Sequence, residues 1–139
     1  MRDVDAIREF VLAGSAVFTL KSRKTGTHYT YHVKAAKPTP QYPNPAWFVR
    51  VLTGPNNTED YTYIGRLDDR GTFRSVRGGA AAPYVRAFEY LGQRIAMGAL
   101  PDVLEFYHAG KCGRCNRVLT TPESVSSGIG PECKKKMGG

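Results

Sequence analysis

The spacing of apolar positions changes character along this chain. Val4, Ile7 and Val11, with Phe10 beside them, follow helical spacing as far as Gly14. Asp3 and Asp5 place negative charge near the start of that stretch, so a short helix is predicted over residues 4–13. From Ala16 the pattern becomes β-rich. Residues 16–21 (AVFTLK) lead to a turn at Lys24-Thr25-Gly26, and residues 28–34 then alternate. Tyr29, Tyr31 and Val33 point one way, and His28, Thr30 and His32 the other, as in a half-buried strand. Four prolines in residues 38–45 make a stiff connector. Residues 47–53 (WFVRVLT) and 61–67 (YTYIGRL) are the next two strands, and DDRG at 68–71 permits a hairpin into residues 72–74. Pro83 to Met97 reads as a helix with Val85, Phe88, Leu91 and Ile95 on one stripe.

These elements predict an α+β fold: an antiparallel sheet of about four or five strands, one packed helix, a short N-terminal helix and a C-terminal metal module. The expected division is an α+β domain over residues 1–104 and a zinc-binding module with a basic tail over residues 105–139. Within 47–53, alternation turns either Val49 and Val51 or Phe48, Arg50 and Leu52 toward the helix. Phe48 and Leu52 are the more apolar pair and are expected inward, with Arg50 as the misfit. Trp47, Phe48 and Phe73 are expected to be core.

Charge changes the picture. The 139 residues carry a formal charge of +8, and residues 21–77 hold a net +6 of it. Such an excess favours polyanionic partners. Eight aromatics between Tyr29 and Phe73 are interleaved with these cations, a mixture that binds unpaired nucleic-acid strands when the rings are exposed. Tyr29, Tyr31, Tyr61 and Tyr63 can instead form cross-strand pairs. No apolar run is long enough to span a membrane, and the start lacks a basic region with an apolar core behind it, so a cytoplasmic protein without a cleaved secretion signal is expected.

The three cysteines cluster within residues 112–133, a poor disulfide framework and a good metal-ligand set. His108, Cys112, Cys115 and Cys133 read H-x3-C-x2-C-x17-C, and zinc accepts Cys3His tetrahedra. Gly113 and Asn116 suit a tight turn between the first two thiols. Thr120 or Thr121 can cap a helix starting at Pro122, with Glu123 completing a capping box, and Gly128 ends it. Gly130-Pro131 starts a second helical turn that carries Cys133. His108 is the expected fourth ligand, with Glu132, His28 and His32 as alternatives; a closed Cys3His site is structural.

The run CGRCNRVLTTPESVSSGIGPEC closely resembles a zinc module, of pattern CGRCGR-x-LT-x-PES-x-x-x-G-x-GPEC, at the end of many small phage and prophage proteins. Asn116 stands where that family usually has glycine, and both tolerate the same backbone. A looser resemblance extends upstream to about residue 17. It implies a phage-encoded zinc protein working in the host cytoplasm, of a kind often found in nucleic-acid metabolism.

Catalysis is not expected. His28 and His32 have no carboxylate or nucleophile at recognisable spacing, Asp68-Asp69 reads as a turn, and Gly54 and Gly65 form no phosphate-binding fingerprint. The leading expectation is a non-enzymatic protein that binds nucleic acid, single-stranded in form, through Arg50, Arg66, Arg74, Arg77, Tyr29 and Tyr61 of the sheet. Arg114, Arg117, Lys134, Lys135 and Lys136 of the module extend that surface. The competing expectation is a phage inhibitor or adaptor whose positive charge suits an acidic surface of a host defence or replication protein.

Overall fold

The computed structural model describes residues 2–56, 59–68, 72–76, 79, 81–119 and 122–138. Helix α1 (Val4–Val11) leads to strands β1 (Ser15–Ser22), β2 (His28–Ala35), β3 (Ala46–Leu52), β4 (Tyr61–Asp68) and β5 (Phe73–Ser75). Helix α2 (Pro83–Ala96), strand β6 (Leu104–His108) and two short helices, α3 (Pro122–Ser127) and α4 (Pro131–Gly138), follow. All strand pairings are antiparallel, in the order β5-β4-β3-β2-β1-β6. The first five strands meander from one neighbour to the next. The chain then passes through α2 and returns to the opposite edge, where β6 pairs with β1.

The fold is therefore α+β, with six strands where four or five were expected. The additional strand is Leu104–His108, which begins at the expected boundary between the sheet domain and the metal module. Its Phe106 lies opposite Leu20 and its His108 opposite Phe18, so the approach to the cysteines is itself part of the sheet.

Local chemistry explains the helices. The Asp3 carboxylate accepts the N–H groups of Asp5 and Ala6 at 2.9 and 3.2 Å, capping α1, whose Ile7, Phe10 and Val11 are buried. Pro83 sits in the first turn of α2, which buries Val85, Phe88 and Leu91. Both helices pack on one face of the sheet, over Ala16, Phe18 and Leu20, Tyr31 and Val33, Val49 and Val51, Ile64 and Leu67, and Leu104 and Phe106. Phe18 stacks on Phe106 at 4.8 Å and on Tyr31 at 5.6 Å, while Phe10 meets both phenylalanines edge-on. The buried Tyr31 hydroxyl donates to the Tyr84 carbonyl at 2.5 Å, and burial drives its pKa upward.

The phase of β3 is opposite to the one expected. Val49 and Val51 are fully buried, whereas Phe48 is 40% exposed. Arg50 decides the matter: turning Phe48 and Leu52 inward would drag an unpaired guanidinium into the core, and strand alternation lets no residue escape alone. Trp47 and Phe73 are half-buried against the core, as the indole N–H donates to the Leu12 carbonyl at 3.1 Å and Phe73 meets Phe88 at 4.8 Å.

Candidate metal centre and basic sheet face

After β6 the chain folds back on itself. Lys111 and Val118 form an isolated antiparallel bridge, and the Cys112 N–H donates to the Arg117 carbonyl at 2.7 Å. Asn116 closes this turn at φ 66°, a left-handed conformation that asparagine tolerates, and its N–H returns to the Cys112 carbonyl at 2.9 Å. The C-x2-C pair is thereby held on one tight loop. Gly128, at φ 75°, ends α3, and α4 carries Cys133 in its first turn. Thr120 and Thr121, the expected caps of α3, lie outside the described residues.

The three Sγ atoms lie within 4.8 Å of one another, with Cys112 and Cys133 buried and Cys115 exposed. A tetrahedral ion bound at ordinary zinc–sulfur distances would hold them about 3.8 Å apart, so a small inward adjustment suffices. The Gly130 and Arg114 N–H groups donate to Cys112 Sγ at 3.3 and 3.4 Å. Burial raises the pKa of Cys112, but these N–H groups and that of Cys115 outweigh it and bring the thiol down to about 7. Cys133 moves the other way, pushed up first by burial and then by the neighbouring thiols. Three sulfurs this close, with backbone donors on Cys112, make a set suited to a cation. The cluster can hold a metal ion.

His108 does not complete that group. Its Nδ1 accepts the Gly110 N–H at 3.0 Å, and its Nε2 lies 2.5 Å from the Val125 carbonyl, which makes Nε2 the protonated nitrogen. The ring also packs against Phe10, 5.8 Å between centroids. Its place in β6, on the face turned to α1, directs it to these partners. None of the alternatives joins the sulfurs either. Glu132 faces Arg117 at 3.9 Å, His32 shares a hydrogen bond with Ser15 Oγ at 3.0 Å, and His28 is exposed on β2. Among the described residues the cluster has three donors.

The cysteine loop is seated on the sheet through Phe10. An added Cβ at Gly113 or Gly128 would lie 2.6 or 2.5 Å from the Phe10 ring, so only glycine permits this approach. The Ser15 N–H donates to the Gly113 carbonyl at 2.6 Å, and Lys134 pairs with Glu9 of α1 at 2.9 Å.

The second feature is the sheet face turned away from α1 and α2. None of its described residues is buried. Strand register sorts it into transverse rows. One row runs Ser15, Lys34, Phe48, Arg66 and Arg74; the next runs Val17, His32, Arg50 and Tyr63. Arg50, Arg66 and Arg74 thus share a surface, as expected. Tyr61 lies on it as well, half-buried, its ring 5.9 Å from that of His32. Burial first, and then the charges of Arg50 and Lys34, lower the pKa of His32. Tyr29 is on the opposite face, edge-on to Tyr84 at 6.3 Å, because its register partner is the core residue Leu20. Its ring is not offered to this surface. Arg77 lies outside the described residues.

The module's cations are exposed, but Arg117 and Lys134 face Glu132 and Glu9. Phe48, expected in the core, and Tyr63 both stand on this open face. The two residues are 40% and 42% exposed, and their rings meet edge-on at 6.0 Å. The signal that could have found Phe48 was the charge of Arg50 two positions on, which fixes the strand's phase.

Among the described residues, no helix is long and apolar enough to cross a membrane. No curated protein and no solved structure matches the chain. Residues 102–138, which comprise β6 and the whole cysteine loop, match the model of a family of unknown function, DUF6011.

Proposed function

We propose that this chain is a non-catalytic, zinc-stapled protein that binds nucleic acid through a basic surface, and that it is of the phage type, acting in a host cytoplasm. The observation that carries the reading is the uncovered sheet face. Lys34, Arg50, Arg66 and Arg74 stand on it, and none of them has an ion-pair partner among the described residues. Unpaired cations on one face attract phosphates strongly, because each contact releases condensed counterions. Zinc is the ion favoured by three cysteine sulfurs, and its role here is to fix the C-terminal loop. The likeness of the CGRC-to-GPEC stretch to phage zinc modules supports the phage-type reading.

The test is a titration of a labelled oligonucleotide at several salt concentrations. Binding at low salt that weakens linearly on a log–log plot is the expected result. No binding at low salt, together with capture of a nuclease-resistant host protein, would replace this reading with the inhibitor or adaptor one.

A further inference from the structure

We infer that the uncovered sheet face is a track for a single strand, in which Phe48 and Tyr63 stack on bases while Lys34, Arg66 and Arg74 hold phosphates; this rests on the nucleic-acid reading above. The chemistry follows from register. Lys34, Phe48, Arg66 and Arg74 are neighbours on four successive strands, a row about 14 Å long at the usual strand spacing. An apolar ring therefore stands between cations, and Tyr63 lies beside it in the next row, opposite Arg50. Large rings left in water on a charged face gain from covering by another flat apolar surface, and an unpaired base is such a surface with a phosphate at fixed reach. A duplex keeps its bases stacked on one another, so it would use the cations and leave the rings idle.

Two further observations place the track. At the β5 end of the row, the proline-rich connector forms the wall of a cleft of about 370 Å³, lined by Tyr42, Asn44, Arg66, Asp68 and Arg74 among others. Tyr42 is 73% exposed there, so a ring borders the Arg66 and Arg74 cations at this end, with the Asp68 carboxylate beside them. At the opposite edge, the Glu105 carboxylate accepts from the Tyr107 hydroxyl and pairs with Arg23 at 3.4 Å. Those contacts weaken the repulsion of phosphate by Glu105 at that edge, where Lys21 lies opposite it on β1.

The experiment is fluorescence anisotropy on the metal-loaded protein with a short oligothymidylate, the matching oligouridylate, and a duplex of the same length. The single strands are expected to bind at least about ten-fold tighter than the duplex, and their ratio tells DNA from RNA. Phe48→Ala and Tyr63→Ala should each cost about ten-fold with the salt slope unchanged, and Phe48→Trp should retain binding. Arg66→Gln with Arg74→Gln should flatten the slope by about 1.4, at roughly 0.7 per phosphate. Both rings are surface groups, and thermal melting checks that each variant folds. Bromouracil photo-crosslinking of the unmodified protein, expected at residues 46–52 or 61–68, gives the same answer without substitution.

If the wild type binds no nucleic acid, the reading beneath this inference falls. Suppose instead that strand and duplex bind equally, or that the two alanine variants bind like wild type while neutralising Arg114, Arg117, Lys135 and Lys136 abolishes binding. The track is then wrong, and nucleic-acid binding belongs to the module.

Discussion

The sheet domain and the cysteine loop are built by different physics. The sheet buries a continuous core from Ile7 to Phe106, with aromatic rings from α1, β1, β2, α2 and β6 in mutual contact. Among the described residues, the loop's buried apolar cluster is Cys112, Leu119, Ile129 and Cys133, with Ala13 packed alongside. Two of those four carry thiols, so apolar burial alone gives this region little. A region with so small a core gains most from a cross-link, and a metal on three sulfurs would supply one. The contrast teaches where each kind of perturbation should act: metal loss on the loop, core substitutions on the sheet, and changes at the Phe10 seam on both.

The largest expected effect is metal loss. One zinc per chain is expected from elemental analysis, and Cys115→Ser or a strong chelator should unfold residues 110–138. Structural zinc in small modules is worth on the order of 10 kcal/mol, far more than this loop's apolar contacts. Hydrogen exchange should then rise across the loop while β1 to β5 keep their protection. Equal loss in both regions would break the comparison.

Next comes the seam. Phe10→Ala should cost about 3–5 kcal/mol by denaturant unfolding, since the ring serves the sheet core and also seats Gly113 and Gly128. Gly128→Ala should cost less, about 1–3 kcal/mol, because the added methyl must displace that ring and the left-handed backbone disfavours alanine. It should weaken metal binding more than it lowers the melting temperature of the sheet. A third substitution sharpens the ligand question. His108→Gln should leave one zinc bound with little change in affinity, as its ring nitrogens serve Gly110 and Val125 and not the sulfurs.

The smallest effect concerns pH. His32 titrates below its ordinary value of 6.5 in the folded chain, so the unfolded chain binds its proton more readily. Its contribution to stability is therefore complete above pH 6.5 and is lost as pH falls through the lowered folded value. His32→Asn should flatten that acid limb of the stability curve, as read by urea midpoints across the window.

Much of this architecture is legible in the chain, and the exceptions have physical causes. The stripes of α1 and α2 and the alternation of β1 to β4 are strong because each buries one face, and the short β5 follows from the DDRG turn signal before it. Strand β6 alternates too, with Leu104 and Phe106 inward and Glu105 and Tyr107 outward. Its five residues are too few to separate from a helical turn, and its partner β1 lies at the far end of the chain. The phase of β3 is ambiguous in one dimension, because Phe48 and Leu52 are as apolar as Val49 and Val51, and the cost of burying Arg50 decides it. At the candidate site, the turn at Asn116 and the helix stop at Gly128 follow from local punctuation. The partner of His108 does not, because the Val125 carbonyl reaches it only once α3 has docked. The transverse rows of the open face are also invisible in one dimension, since they exist only through strand register.

The most direct test joins the two regions: titration of a single-stranded oligonucleotide before and after zinc is removed, with circular dichroism confirming that the sheet remains folded. If the open face carries the strand and the metal only holds the loop, affinity should stay within about two-fold, as expected for sites without shared contacts. Collapse of binding on zinc removal, with the sheet intact, would contradict the account.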